Sequence, residues 1–233
     1  MRWATPSLAG RSDRRHIALT IDDGPDPGST PVILETLARN SVRATFFVIG
    51  EHVERNRSLV SEMHLAGHEF GVHGWSHTCT LSMAPERLRR DLTKTAALLT
   101  DITGAWPRWY RPPYGITTLA SNEAARINGL TPVLWTAWGR DWSRFVSAEG
   151  IVKRVNRALR PGGTVLLHDT DRYASPRSWI KTDRALQVLL PEWERLGIAV
   201  GPLNDHWSGQ LKRPSLVRGD GLARRVHVPA RPR

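Results

Sequence analysis

Short apolar runs rich in β-branched and aromatic residues alternate with helix-patterned segments along most of this chain, and that alternation limits the fold more than any other feature. "ATFFVIG" (residues 44–50) is continuously apolar, as a strand buried on both faces should be. "HIALTI" (16–21) reads the same way, and "HEFGVH" (68–73), "RWYRPP" (108–113), "TPVLW" (131–135), "TVLLH" (164–168) and "IAVGPL" (198–203) read as further short strands. Between them lie helix patterns. "TPVILETLARN" has Thr30 as expected N-cap, Pro31 at the first helical position and Asn40 at the end. "RNRSLVSEMHLAG" is closed by Gly67, and "APERLRRDLTKTAALLTDITG" puts Leu88, Leu92, Ala96 and Leu99 on one side. "LASNEAARING", "AEGIVKRVNRALRPGG" and "DRALQVLLPEWERLG" complete the set. About seven β/α units without an internal repeat imply a parallel α/β fold.

The polar motifs discriminate between an open sheet and a barrel. "DDG" (22–24), "HGWSH" (73–77), "RPPYG" (111–115), "DW" (141–142) and "HD" (168–169) all fall at or just after the C-terminal ends of strands. A barrel gathers those ends around one mouth, whereas an open sheet unites only those at its switch point. Five converging motifs favour the barrel. No GxGxxG follows the first strand and no GxxxxGK[ST] occurs, so nucleotide binding lacks its usual fingerprint.

Charge and cysteine content narrow the chemistry. The net charge of +11 resembles that of a nucleic-acid binder, but residues 206–233 carry seven Lys/Arg against one acid and residues 1–15 carry four against one. The remainder is nearly neutral, which argues against nucleic acid as the partner. The expected organisation is an N-terminal extension (1–15), one catalytic domain (16–205) and a basic, solvated tail (206–233) able to touch an anionic polymer or membrane surface. No run of 18 apolar residues appears. The opening residues show no apolar h-region, so the expectation is a cytoplasmic protein, or a secreted one where a leader has been removed. Cys79 is the only cysteine, so any metal must be held by His and carboxylate.

Two adjacent acids, Asp22 and Asp23, end the first strand. Like charges repel and burial of either is costly, so the pair calls for a reason. His73 and His77 are four apart in "HGWSH", a usual zinc spacing, with Gly71 and Gly74 favouring a turn over a helix. Taken alone, H-x3-H is as readily two polar loop histidines, and "DDGPDP" a plain turn. Taken together, Asp23, His73 and His77 make a two-His, one-carboxylate set, with a fourth position left to water. Zinc is the default, and cobalt or iron suits the same ligands. Asp22 is then free to accept a proton from the bound water. Ten Trp is a high count. Trp109 and Trp135 read as core, and Trp138 and Trp142 as lining a site.

With these motifs in order, the chain resembles the polysaccharide deacetylase family, the NodB-homology domain of carbohydrate esterase family four. "TIDDGPDP" is similar to its TFDDG pattern, with Ile21 for the usual Phe; "HGWSH" to its H-[ST]-x-x-H, with Gly74 for Ser or Thr and Thr78 where Pro is common. "YRPPYG", "RDW" and "LLH" resemble the remaining three motifs. The resemblance implies a distorted (β/α)7-type barrel with one divalent metal, usually zinc. It implies removal of acetyl from an N-acetylated amino sugar, or less often from an O-acetyl ester. In those terms Asp22 is the catalytic base and Asp23, His73 and His77 are the ligands. His168 is the general acid, Asp141 pairs with it, and Arg111 orients Asp22. Tyr114 supplies a backbone N–H to the oxyanion, and Trp142 and Leu166 line the acetyl pocket. An O-acetyl esterase, a cyclic-amide hydrolase and an inactive glycan-binding module are the rival readings.

Overall fold

A computed structural model describes residues 8–207, with side chains as far as His206; the rest of the basic tail and residues 1–7 lie outside the described residues. Eight strands and eight α-helices follow one another. They are β1 (His16–Asp22), α1 (Thr30–Arg39), β2 (Thr45–Val48), α2 (Gly50–Arg55), α3 (Arg57–Leu65), β3 (Glu69–Val72), α4 (Pro85–Thr103) and β4 (Trp109–Tyr110). Then come α5 (Leu119–Ile127), β5 (Thr131–Pro132), β6 (Ala137–Trp138), α6 (Ala148–Ala158), β7 (Thr164–His168), α7 (Ser178–Arg195), β8 (Ala199–Gly201) and α8 (Leu203–Trp207).

All strand pairs are parallel, in the order β5-β4-β3-β2-β1-β7-β6, with β8 alongside the first half of β1. The sheet curls into a distorted barrel in which β5 and β6, among the described residues, are not paired with each other. β1 is therefore central, and the register sets Asp22 beside Phe47 on one side and His168 on the other. Side chains alternate along a strand. Ile17, Leu19 and Ile21 enter the large core beneath the helices, while Ala18 turns inward with Phe47, Trp109, Val133 and Leu203. Thr20 and Asp22 share that inward face. The outer core includes Leu88, Leu92, Ala96 and Leu99 of α4, as the 3.6-residue pattern predicts. Each such buried Leu contributes ~1.5–3 kcal/mol.

Three local expectations are corrected. The N-cap of α1 is Ser29, not Thr30. The Thr30 hydroxyl instead accepts from the Asp26 N–H (2.8 Å) and donates to Asp169 Oδ2 (2.5 Å). The run "TPVLW" is not one strand. The Val133 N–H donates to the Tyr110 carbonyl, the Leu134 N–H to Leu8 and the Thr136 N–H to Thr164, so the chain crosses from β4 to β7 within four residues. The Val133 and Leu134 carbonyls are taken by the Arg111 guanidinium (3.2 and 2.7 Å). Finally, α2 was not expected, because its six residues lack a helical period of their own.

The N-terminal residues bind this same seam. The Leu8 carbonyl accepts from Leu134, the Gly10 carbonyl from Thr164 Oγ1 (2.7 Å), and the Ser12 N–H donates to Gly162. At the far end of the chain, buried His206 sits 3.0 Å from His16, Nδ1 to Nδ1, and its Nε2 donates to the Gly162 carbonyl (2.9 Å).

Candidate active site

Asp22 and Asp23 end β1 on opposite courses. Asp23 has φ 86°, a conformation that non-glycine residues rarely adopt and that costs ~1–3 kcal/mol. The carboxylates of Asp22 and Asp23 both approach His73 Nε2, at 3.8 and 3.3 Å, and the turn is held by the backbone of Asp23. Its N–H donates to the Phe47 carbonyl (3.1 Å), and its own carbonyl accepts from His52 Nδ1 (2.9 Å). Gly24 follows because nothing larger fits. A Cβ there would come within 2.1 Å of Asp169 Oδ2.

Asp22 is held by Arg111. Nη1 donates to Asp22 Oδ1 (2.7 Å) and to Thr20 Oγ1 (2.8 Å), and the guanidinium carbon lies 4.0 Å above the Phe47 ring. Both members of the ion pair are buried. Burial lowers the Arg111 pKa and Asp22 opposes the shift. The ion pair fixes the Asp22 carboxylate in place, as a group that is to take a proton from a defined position requires.

Asp23, His73 and His77 meet next to it. Asp23 Oδ1 lies 3.3 Å from Nε2 of both histidines, and the three ligand atoms lie within 4.8 Å of one another. His73 Nδ1 donates to the Arg111 carbonyl (2.7 Å), which leaves the lone pair on Nε2, aimed at Asp23. Asp23 Oδ1 is buried without a hydrogen-bond partner. A buried carboxylate oxygen and an imidazole lone pair facing each other repel unless a cation lies between them, so this donor set fits a divalent metal. The turn carrying His77 depends on Gly74, at φ 101°.

His168 faces this set from β7. Its Nδ1 is 3.0 Å from Asp141 Oδ1, its backbone N–H donates to Asp141 Oδ2 (2.7 Å), and Thr182 Oγ1 donates to the same oxygen (2.9 Å). Burial alone would lower the His168 pKa. Asp141, assisted by Asp23 and Asp22, more than reverses this and raises it to about 10. A cation at the neighbouring ligand set would pull that value back down.

Three residues expected to line the site lie close to His168 or in register with one another. Trp142 packs edge-on against His168 (5.4 Å between ring centroids), Trp138 stands 5.0 Å from Trp142, and Leu166 is buried on β7 in register with Thr20 and Trp138. Trp109 and Trp135 are buried, as expected of core residues. Tyr114 sits in the tight turn Pro113–Gly115 with φ 61°. The two hydrogen bonds closing the turn use the N–H groups of Gly115 and Ile116, not that of Tyr114. Ten of the eleven predicted site residues thus lie at or after the C-terminal ends of strands, and Leu166 lies within β7, two residues before His168.

Sequence reasoning missed four residues. Thr182 steadies Asp141 from α7. Asp169 is buried behind Gly24, and burial first, then Asp23, raises its pKa to about 7. His52 and Tyr173 link the ligands from the outside: Tyr173 Oη is 3.2 Å from His52 Nε2, and its ring stacks on His77. Only Asp169, beside His168 in "HD", carried any sequence signal.

Known proteins share this arrangement of sequence and fold. The family model described as polysaccharide deacetylase matches residues 9–133, more than half of the chain. The chitooligosaccharide deacetylase of Bradyrhizobium sp. (strain ANU 289) is 37% identical over 199 residues, which cover 82% of this chain and 90% of that protein. The peptidoglycan-N-acetylglucosamine deacetylase PgdA of Listeria monocytogenes is 35% identical over 164 residues, and the chain spans 34% of that longer protein. Among solved structures, the Bc1960 peptidoglycan N-acetylglucosamine deacetylase superposes with a TM-score of 0.78 at 30% identity, covering 88% of this chain and 96% of that one. A family 4 acetyl xylan esterase from Clostridium thermocellum, in complex with a cobalt ion, superposes with a TM-score of 0.75 at 29% identity, covering 82% and 90%. With the match running past the middle of the sequence and the same curled barrel beneath it, the chain belongs to the polysaccharide deacetylase family, the NodB-homology fold of carbohydrate esterase family four.

Proposed function

We propose that this protein is a metal-dependent hydrolase that removes the acetyl group from N-acetylated amino sugars in a glycan. The observation that carries the reading is the placement of two differently held proton carriers on neighbouring strands beside one ligand set. Asp22 is fixed by the Arg111 guanidinium at 2.7 Å, and His168 is paired at 3.0 Å with Asp141, which raises its pKa. A carboxylate held by a cation and an imidazole held by a carboxylate are what amide cleavage demands, because the amine leaves poorly unless it is protonated. The similarity to a chitooligosaccharide deacetylase and to a peptidoglycan N-acetylglucosamine deacetylase supports the substrate class.

Asp23, His73 and His77 would hold the metal, zinc by default and cobalt as the alternative. A divalent metal there supplies Lewis acidity, acidifying water and polarising the acyl oxygen. The chain's own groups do the rest. Asp22 takes the proton from the attacking water. The Tyr114 N–H donates to the developing oxyanion, a contribution of about 2.7–4 kcal/mol where such donors have been removed. His168 passes its proton to the departing nitrogen, giving a free amine and acetate. Leu166 and Trp142 enclose the methyl group, and Trp138 extends the wall towards the sugar.

The test is acetate release from N-acetylglucosamine oligomers and from peptidoglycan fragments by the zinc-loaded protein. No acetate from either class, with zinc bound, overturns the reading. The likeness to an acetyl xylan esterase favours a second one, O-deacetylation at the same site. Without a proton donor an alkoxide leaves far more readily than an amide anion, so an ester substrate would survive His168→Ala with less loss than an amide.

A further inference from the structure

The two imidazoles of the ligand set are held in place by different means. His73 is locked by the hydrogen bond from its Nδ1 to the Arg111 carbonyl. His77 Nδ1 is buried and has no hydrogen-bond partner among the described residues. A metal-ligating imidazole is ordinarily oriented through its remote nitrogen, so His77 lacks the usual restraint. Its ring lies between two tyrosines instead. Tyr173 stacks face to face at 4.1 Å and 13°, and Tyr114 presents an edge at 4.5 Å and 72°.

Tyr173 is itself anchored. Its hydroxyl lies 3.2 Å from His52 Nε2, and His52 Nδ1 lies 2.9 Å from the Asp23 carbonyl. His52 is buried. Since Nδ1 must donate to the carbonyl, Nε2 is the acceptor and the tyrosine hydroxyl the donor. The chain Asp23 backbone–His52–Tyr173–His77 ring therefore ties one ligand to the other around the outside of the set. Tyr173 belongs to the segment between β7 and α7, which reaches over from the side of the acid, His168.

We propose that Tyr173 is a positioning residue for the metal. Its ring, braced by His52, substitutes for the missing hydrogen bond and fixes the plane in which His77 presents Nε2. The inference rests on the reading of Asp23, His73 and His77 as ligands.

The experiment is competition for zinc between the metal-free protein and a chromophoric chelator of known affinity, without substrate. Tyr173→Ala removes the stack and should weaken zinc binding about 10–100-fold, the range typical of lost outer-shell support. Tyr173→Phe keeps the ring and should restore affinity to within threefold of the parent protein. The cobalt-loaded parent and Tyr173→Phe proteins should share one visible absorption spectrum, and Tyr173→Ala should differ, a change that a merely structural role for the side chain would not produce. Should Tyr173→Ala fail to fold, Tyr173→Leu, which keeps bulk without a planar face, carries the same expectation. A loss below tenfold in the folded variant that lacks the ring overturns the inference. So does a Tyr173→Phe loss equal to that of Tyr173→Ala, which would assign the effect to the hydroxyl. A parent protein that binds no zinc refutes the ligand reading itself, and is thereby distinguished from both.

Discussion

Arg111 Nη1 donates to Asp22 Oδ1 at 2.7 Å, with neither side chain in appreciable contact with solvent. The same guanidinium also reaches the Val133 and Leu134 carbonyls where the barrel is unpaired. One side chain thus prepares the base and closes the wall behind it. Arg111→Leu should remove both roles. Removing one partner of a buried ion pair costs about 3–5 kcal/mol, which for a domain of this size lowers Tm by about 6–20 °C. Thermal unfolding followed by circular dichroism measures it, and an unchanged Tm would count against the seam role.

Asp22→Asn keeps the shape of the side chain and removes its basicity. Activity should fall about 10²–10⁴-fold while zinc affinity stays within a few-fold of the parent, because Asp23, His73 and His77 are untouched. Acetate release and zinc competition on the same preparation separate the two effects. Parallel loss of metal and activity would move Asp22 into the ligand set.

Asp141 should govern how the metal-free protein responds to alkali. In the folded chain the His168 pKa stands at about 10, above the ordinary 6.5. The folded state therefore holds that proton more tightly than the unfolded state does. The stabilisation is complete below pH 6.5 and disappears as pH rises through about 10. Tm of the chelator-treated protein should decline across that window, and Asp141→Asn should flatten the decline.

His68 and His206 should act at the other end of the scale. Burial lowers each pKa to about 4, and the His68 Nδ1 accepts the Ala44 N–H (3.2 Å), a bond that protonation abolishes. The unfolded chain takes up these protons first, so their stabilisation is present above pH 6.5 and is lost as pH falls towards 4. Urea unfolding at pH 7, 5.5 and 4.5 should show decreasing midpoints, with a shallower slope in His68→Gln. Equal slopes in both proteins would place the acid sensitivity elsewhere.

The fold and most of the site were legible because both depend on short-range patterns. The short apolar runs "HIALTI" and "TVLLH" predict strands that end at Asp22 and His168, and the register then brings the two side by side. Gly71 and Gly74, before and within "HGWSH", predict a turn where His77 has to bend back. What escaped detection depends on contacts between distant segments. Thr30 is drawn away from capping by Asp169, 139 residues later in the chain. "TPVLW" has the composition of one strand but serves two neighbours in succession, with Arg111 occupying the carbonyls between. Tyr173 lies in a polar loop whose composition gives no sign that its ring rests on His77.

The position of β1 has a consequence for how the molecule comes into being. This first strand acquires β2 early, but β7 and β8 only after residues 164–168 and 199–201 exist. During synthesis one entire flank of β1, together with the acid pair at its tip, waits unsheathed until residues 164–168 have left the ribosome. Such long-range closure is slow and leaves strand edges open to wrong partners. The nascent chain is therefore at its most vulnerable to aggregation late, and the mouth of the barrel is among the last parts to be assembled.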